Sequence, residues 1–184
     1  MNMSKYIYVV QGVNNKGEFI PREERDITFS DDKDWYVSTY YYNDAAFEQY
    51  KTKNSRKGIK DVKTDKIWFD FDNEKNPENA KQDAIEVISR LKKSGIKDSC
   101  IDVYFSGNKG FEVSVTVNKL LNRTQVEHLA MEVYGKGLET LDLSMYDENQ
   151  IFRVPNTKHE KSGLYKIQLQ ASELNSLSIA AIKD

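Results

Sequence analysis

The chain has one cysteine, Cys100, among its 184 residues. A lone thiol cannot close a disulfide within the chain, and its apolar surroundings read as a buried position rather than a ligand. No apolar run approaches the ~18 residues of a membrane-spanning helix, so no membrane partner is expected. The opening Met1-Asn2-Met3-Ser4-Lys5 lacks the basic-then-apolar pattern of a secretion signal, and a cytoplasmic location is expected. A cationic surplus is missing too, with 27 Lys and Arg against 29 Asp and Glu. Tight autonomous binding to nucleic acid normally needs that surplus, so any such contact must be local. The Gly-x-x-x-x-Gly-Lys-Ser/Thr spacing of a P-loop is absent, which disfavours that class of ATPase. There is no internal repeat, low-complexity tract or obvious linker. What is present, 39% hydrophobic and 30% charged residues, suits a single globular domain over residues 1–184 with a proper core.

Hydrophobic and β-branched patterning predicts strands over residues 5–10, 35–42, 66–72, 100–105, 111–117, 151–154 and 164–169. Asp44 is expected to cap a short helix carrying Ala45, Ala46, Phe47 and Tyr50. A longer helix is expected after Asn76, with Pro77 in its first position and an apolar stripe of Ala80, Ala84, Val87, Ile88 and Leu91. Gly95 suits its left-handed end. A second long helix is expected over about 124–141, its far end blurred by Gly135 and Gly137, and a short one from Ser172. Strands with interleaved helices indicate an α+β domain. The run Tyr40-Tyr41-Tyr42 suits core packing better than stacking on bases.

Three separated stretches carry the chemistry. In Asp70-Phe71-Asp72 the two carboxylates share one face of a strand, while Ile67, Phe69 and Phe71 point into apolar surroundings. Neighbouring carboxylates raise each other's proton affinity unless a cation compensates them. Magnesium or manganese suits that role and leaves room for phosphate oxygens and water. Solvated charges on an exposed strand, or the opening motif of a phosphatase that forms an aspartyl-phosphate, give the same pattern. In the second stretch, Ser106, Gly107 and Gly110 can turn the backbone so that amides line up on an anion, with Lys109 adding charge. A plain loop between antiparallel strands is the simpler alternative. Glu112 follows on the polar side of the next strand. The third stretch is Tyr146-Asp147, then Arg153, His159 and Lys161. Asp147 offers another carboxylate, Arg153 a bidentate grip on phosphate, and His159 a hydrogen-bond donor.

In order and spacing, these stretches resemble the catalytic core of the archaeo-eukaryotic primase superfamily, especially the compact primase–polymerases of viruses and mobile replicons. That family carries an Asp-hydrophobic-Asp strand, a Ser-Gly-x-Lys-Gly-x-His turn and strand, and a hydrophobic-Asp pair. An Arg and a His-x-Lys-Ser/Thr-Gly loop often follow. Here these read Asp70-Phe71-Asp72, Ser106 to Glu112, Tyr146-Asp147, Arg153 and His159 to Gly163, within a motif-bearing core of about 66–169. The resemblance implies a mixed, largely antiparallel sheet with packed helices, the RRM-like palm of a primase–polymerase core. It implies that Asp70, Asp72 and Asp147 bind two magnesium or manganese ions, and that Ser106, Gly107, Lys109, Arg153 and His159 hold a nucleoside triphosphate. The implied activity is template-directed nucleotidyl transfer, as a DNA primase or DNA polymerase, in replication of a phage or mobile replicon inside the host cytoplasm. The implied partners are a single-stranded DNA template and a helicase or helical accessory region. One position departs, with Glu112 standing where the family has histidine. That departure implies a nucleotide-binding accessory module without turnover as the alternative. A metal-dependent phosphatase or nuclease around Asp70 and Asp72 is a more distant one.

The local contact with template is expected in residues 51–66, where seven Lys and Arg face only Asp61 and Asp65. Reversing the charge of Lys57 and Lys60 (Lys57→Glu with Lys60→Glu) is expected to weaken binding to single-stranded DNA and flatten its salt dependence, read by fluorescence anisotropy. Unchanged affinity and salt slope would remove both lysines from the contact.

Overall fold

The structure, a computed structural model, describes residues 5–24 and 29–184. Among the described residues, eight strands form two four-stranded sheets in which every strand pair is antiparallel. The first has the order β2-β1-β3-β7, from Glu18–Pro21 (β2), Tyr6–Gln11 (β1), Trp35–Ser38 (β3) and Ile151–Arg153 (β7). The second has the order β4-β6-β5-β8, from Lys63–Asp72 (β4), Gly110–Asn122 (β6), Ile101–Phe105 (β5) and Ile167–Leu169 (β8). The expected α+β class, with largely antiparallel strands and packed helices, holds, and the strands are divided between two sheets. The reason lies in residues 39–42, which leave the first sheet after Ser38. They bridge Tyr42 to Tyr6 and Tyr41 to Lys63, so β4 starts a new sheet.

Helix α1 (Asp44–Lys53) is capped by Asn43, whose side chain accepts from the Ala46 amide at 2.9 Å. Asp44, the expected cap, is instead the first helical residue, where its charge suits the positive end of the helix. Helix α2 (Pro77–Lys93) begins as the sequence indicates, with Asn76 accepting from the Glu78 amide and Pro77 leading the first turn. Ala80, Ala84, Val87, Ile88 and Leu91 are all buried against β4 and β6, whose inward residues include Phe69, Phe71, Phe111 and Val113. Gly95 ends the helix at φ +84°, and the Ile96 amide reaches back to the Leu91 carbonyl. Short helices α4 (Ala171–Ser176) and α5 (Ile179–Lys183) follow β8. Tyr40 and Tyr42 are core residues whose hydroxyls donate to the Tyr146 and Glu148 carbonyls.

The expected helix over 124–141 is cut short. Helix α3 (Arg123–Glu127) opens with a capping box at Asn122, then widens into a π-helix over His128–Tyr134. Gly135 closes it by donating to the Ala130 carbonyl five residues back. A Cβ at position 135 would sit 2.3 Å from that carbonyl oxygen and 2.5 Å from Leu141, so only glycine lets the chain fold back here. Leu141 then bridges Phe71, placing residues 140–142 against β4. That return positions a carboxylate at the site.

Leu91→Ala, at a fully buried position of α2, is expected to cost about 2–5 kcal/mol in urea unfolding. A loss under 1 kcal/mol would mean that the α2 face is not a close-packed part of the core.

Candidate active site

Lys66, Trp68, Asp70 and Asp72 alternate with buried Ile67, Phe69 and Phe71 along β4. In register, Asp70 lies opposite Glu112 and Asp72 opposite Gly110. Directly opposed residues in an antiparallel pair project to the same face, so the Glu112 and Asp70 carboxylates are neighbours. Gly110 is required by closeness, since a Cβ there would lie 2.0 Å from Asp72 Oδ1. On the other flank of β4, the Asp142 amide donates to the Asp70 carbonyl at 2.8 Å and the Asp72 amide to the Thr140 carbonyl at 3.0 Å. Asp83 of α2 fixes that flank by accepting from both the amide and the hydroxyl of Thr140. Asp142 therefore sits across from Asp70.

Charge in this region is poorly balanced. Burial, followed by Glu112, Asp72 and Asp142, holds the Asp70 carboxyl well above its usual pKa, and Lys166 only partly opposes them. Asp72 is also raised, first by burial, with Lys109 as the main opposing influence. Asp147 is elsewhere. It is exposed, and its Oδ1 accepts from the amide and side chain of Asn149. The 3-10 turn Leu143–Tyr146 stands between Asp142 and Asp147, and it is Tyr146 that reaches β4, through its hydroxyl to the Trp68 carbonyl. The hydrophobic–Asp pair beside β4 is Leu141-Asp142, five residues earlier, and sequence reading passed over it.

The turn joining β5 to β6 is tied at its base by the Ser106 amide to the Gly110 carbonyl and by the Gly110 amide to the Ser106 hydroxyl. The amides of Gly107, Asn108 and Lys109 have no acceptor among the described residues, three successive donors suited to an anion. Gly107, at φ +80°, lies against the Tyr165 backbone and Arg153 Nη2. Lys109 Nζ is 2.8 Å from Glu74 and 3.5 Å from Asp72. Arg153 is buried and donates to the Thr157 carbonyl at 3.2 Å. His159 Nδ1 accepts from the amides of Lys161 and Ser162, which leaves the ring proton on Nε2. Burial, then Arg153, holds its pKa below the usual histidine value, so the ring is neutral at pH 7.

These parts meet in one cleft of about 190 Å³ whose lining includes Asp70, Asp72, Ser106, Lys109, Glu112, Arg153 and His159. A larger neighbouring hollow of about 470 Å³ shares His159 but none of Asp70, Asp72 and Glu112. Lys57 and Lys60 lie away from the cleft on the exposed surface after α1, whereas Arg56 packs over Tyr8 and Lys66 pairs with Asp102.

No family model matches the chain, and no curated protein matches it. Among solved structures, it is similar to the polymerase domain of Ligase D from Mycobacterium tuberculosis in complex with DNA. The TM-score is 0.59 at 10% identity, over 95% of this chain and 77% of that one. At that identity the likeness is one of fold. It agrees with the primase–polymerase architecture expected from the motifs.

Sequence reading also missed Lys166, a lysine with no exposed side-chain surface that is ion-paired to Glu112. The motif points to Lys109 or Arg153 as the partner of Glu112, and Lys166 takes that place instead. The usable signal was that a glutamate inside an apolar strand needs a cation, and Lys166 stands between Tyr165 and Ile167 just before β8.

Among the described residues, no three His, Cys, Asp or Glu side chains form a ready-made metal cage. A magnesium-type ion does not require one, because one or two carboxylates with waters and substrate phosphates commonly complete its shell. Asp70 and Asp72 fit that need as hard oxygen donors on one face. The Asp70 carboxylate in addition accepts no hydrogen bond among the described residues. The folded state holds the Asp70 proton more tightly than the unfolded chain does. This group therefore favours folding below the unfolded pKa of about 3.9, and the advantage is lost as pH rises through the folded value. Asp70→Asn is expected to raise metal-free stability at pH 8 by about 0.5–2 kcal/mol, with the difference shrinking toward pH 4. Urea titrations at both pH values check this, and equal stability at pH 8 would mean that the repulsion is already relieved.

Proposed function

We propose that this chain carries out template-directed nucleotidyl transfer, as a primase or polymerase of the kind found in phages and mobile replicons. The observation that supports it is the single cleft lined by residues from all three motif stretches. The likeness in fold to a polymerase domain solved with DNA supports the same reading. Asp70, Asp72 and Asp142 would hold divalent magnesium or manganese, with Asp142 taking the role that the motif resemblance assigned to Asp147. A cation bound there supplies charge neutralisation of the triphosphate and acidifies the attacking hydroxyl.

The protein groups position the reactants. Arg153, Lys109 and the free amides of Gly107, Asn108 and Lys109 grip phosphate oxygens, and neutral His159 donates through Nε2. Held in line, the 3′-oxygen forms a bond to the α-phosphorus as the bond to the bridging oxygen breaks and pyrophosphate leaves. Orientation and charge supply the acceleration, with no covalent protein intermediate. The single-stranded template is expected along the basic surface bearing Lys57 and Lys60, with a helicase or helical accessory region as a further partner. The presence of Glu112 in the cleft favours one second reading, a nucleotide-binding accessory module without turnover.

The deciding experiment is nucleotide incorporation on single-stranded DNA, with and without primer, in magnesium and in manganese. Product is expected in at least one metal. Asp70→Asn with Asp72→Asn should abolish it, and Asp142→Asn should lower it on the order of 100-fold while Asp147→Asn leaves it within about threefold. Full activity in the double variant would sink the proposed site. Triphosphate binding without product in any condition would decide for the accessory module, and loss in Asp147→Asn alone would return the third carboxylate to that position.

A further inference from the structure

Lys166 is the least expected charge in the molecule. Its side chain has no exposed surface, and its ammonium is ion-paired to Glu112, which lines the cleft. Three aromatic rings surround the ammonium, with centroids at 5.3 Å (Trp68), 4.8 Å (Tyr104) and 5.3 Å (Phe152). Trp68 and Phe152 stack on each other at 4.5 Å, which closes the cage on that side. Water and salt cannot reach such a site to replace the lysine, so its charge acts on its neighbours at low screening.

The backbone of Lys166 is equally fixed. Its amide donates to the Thr157 carbonyl at 3.2 Å, the same oxygen that accepts from Arg153 Nη1, and its carbonyl accepts from the Asn156 amide. The preceding carbonyl, of Tyr165, lies against Gly107. One short segment thus touches the arginine, the glycine turn and the glutamate of the cleft.

We propose that Lys166, acting through Glu112, is the positioning residue that makes this cleft acceptable to a triphosphate; this rests on the nucleotidyl-transfer reading given above. An ionised Glu112 cannot donate to phosphate oxygens and repels them. Lys166 draws that carboxylate toward the cage and cancels its charge from the side away from substrate. Lys109 and Arg153 are then left to face the phosphates. The pair stands where the resembled motif has one histidine, and it reaches a comparable electrical result with two residues.

The test is equilibrium binding of a fluorescent deoxynucleoside triphosphate in manganese without template, using the full chain and checking folding of each variant by near-UV circular dichroism. Lys166→Met should weaken binding by about tenfold or more, because it leaves the Glu112 charge unopposed. Glu112→Gln should bind at least as tightly as the parent. The double variant, with no unpaired buried charge, should return to within about threefold of the parent. If Lys166→Met does not fold, Glu112→Gln and the double variant still decide. Tenfold weaker binding by either folded protein overturns the proposal, as does unaltered binding by folded Lys166→Met. A parent chain that binds no triphosphate at all overturns the nucleotidyl-transfer reading itself, and the role of Lys166 falls with it.

Discussion

A one-residue slip of β4 against β6 would carry Asp70 and Asp72 into the core beneath α2 and bring Phe69 and Phe71 out to the cleft. The register that prevents this is held from both sides. Apolar burial of Phe69, Phe71, Phe111 and Val113 against α2 fixes which face is inward. On the opposite flank, Leu141 bridges Phe71, and Asp83 anchors the returning strand through Thr140. Core packing and placement of the carboxylates are therefore one constraint, with the hydrophobic effect supplying the larger share of the energy.

That constraint gathers like charges. Glu112, Asp72 and Asp142 all oppose the ionised form of Asp70, and Lys166 favours it. Sites that hold unfavourable charge arrangements persist when the surrounding fold over-determines them, and they mark places where function outweighs stability. The compensating cations come from three different segments. Lys109 stands on the hairpin turn, Arg153 ends β7, and Lys166 precedes β8. The cleft is thus assembled only when both sheets have formed.

Local signals were legible wherever the residues that decide an element lie close in sequence. Asn76-Pro77 and the stripe to Leu91 gave the start and face of α2, and strict alternation gave the orientation of Asp70 and Asp72. Motif order was enough to point to Ser106, Lys109, Arg153 and His159, which do line one cleft. What escaped depends on distant pairing. Glu112 and Lys166 are partners across 54 positions. That Asp142 rather than Asp147 lies beside β4 depends on where the chain folds back after Gly135, a matter of a π-turn and one close backbone contact. The split into two sheets followed from bridges at Tyr41 and Tyr42 that no periodicity announces.

Gly110 bears on how chains of this kind diverge. Its lack of a side chain is what allows Asp72 Oδ1 to approach the neighbouring strand, so the contact is between a carboxylate and bare backbone. Most positions around it can drift in identity as long as volume and polarity are kept. This one admits no drift, because even a methyl group would displace the acid. Remote kin of this chain should therefore be sought by a strand acid facing a glycine across an antiparallel pair. Such a signature lives in spatial register and outlasts overall sequence similarity.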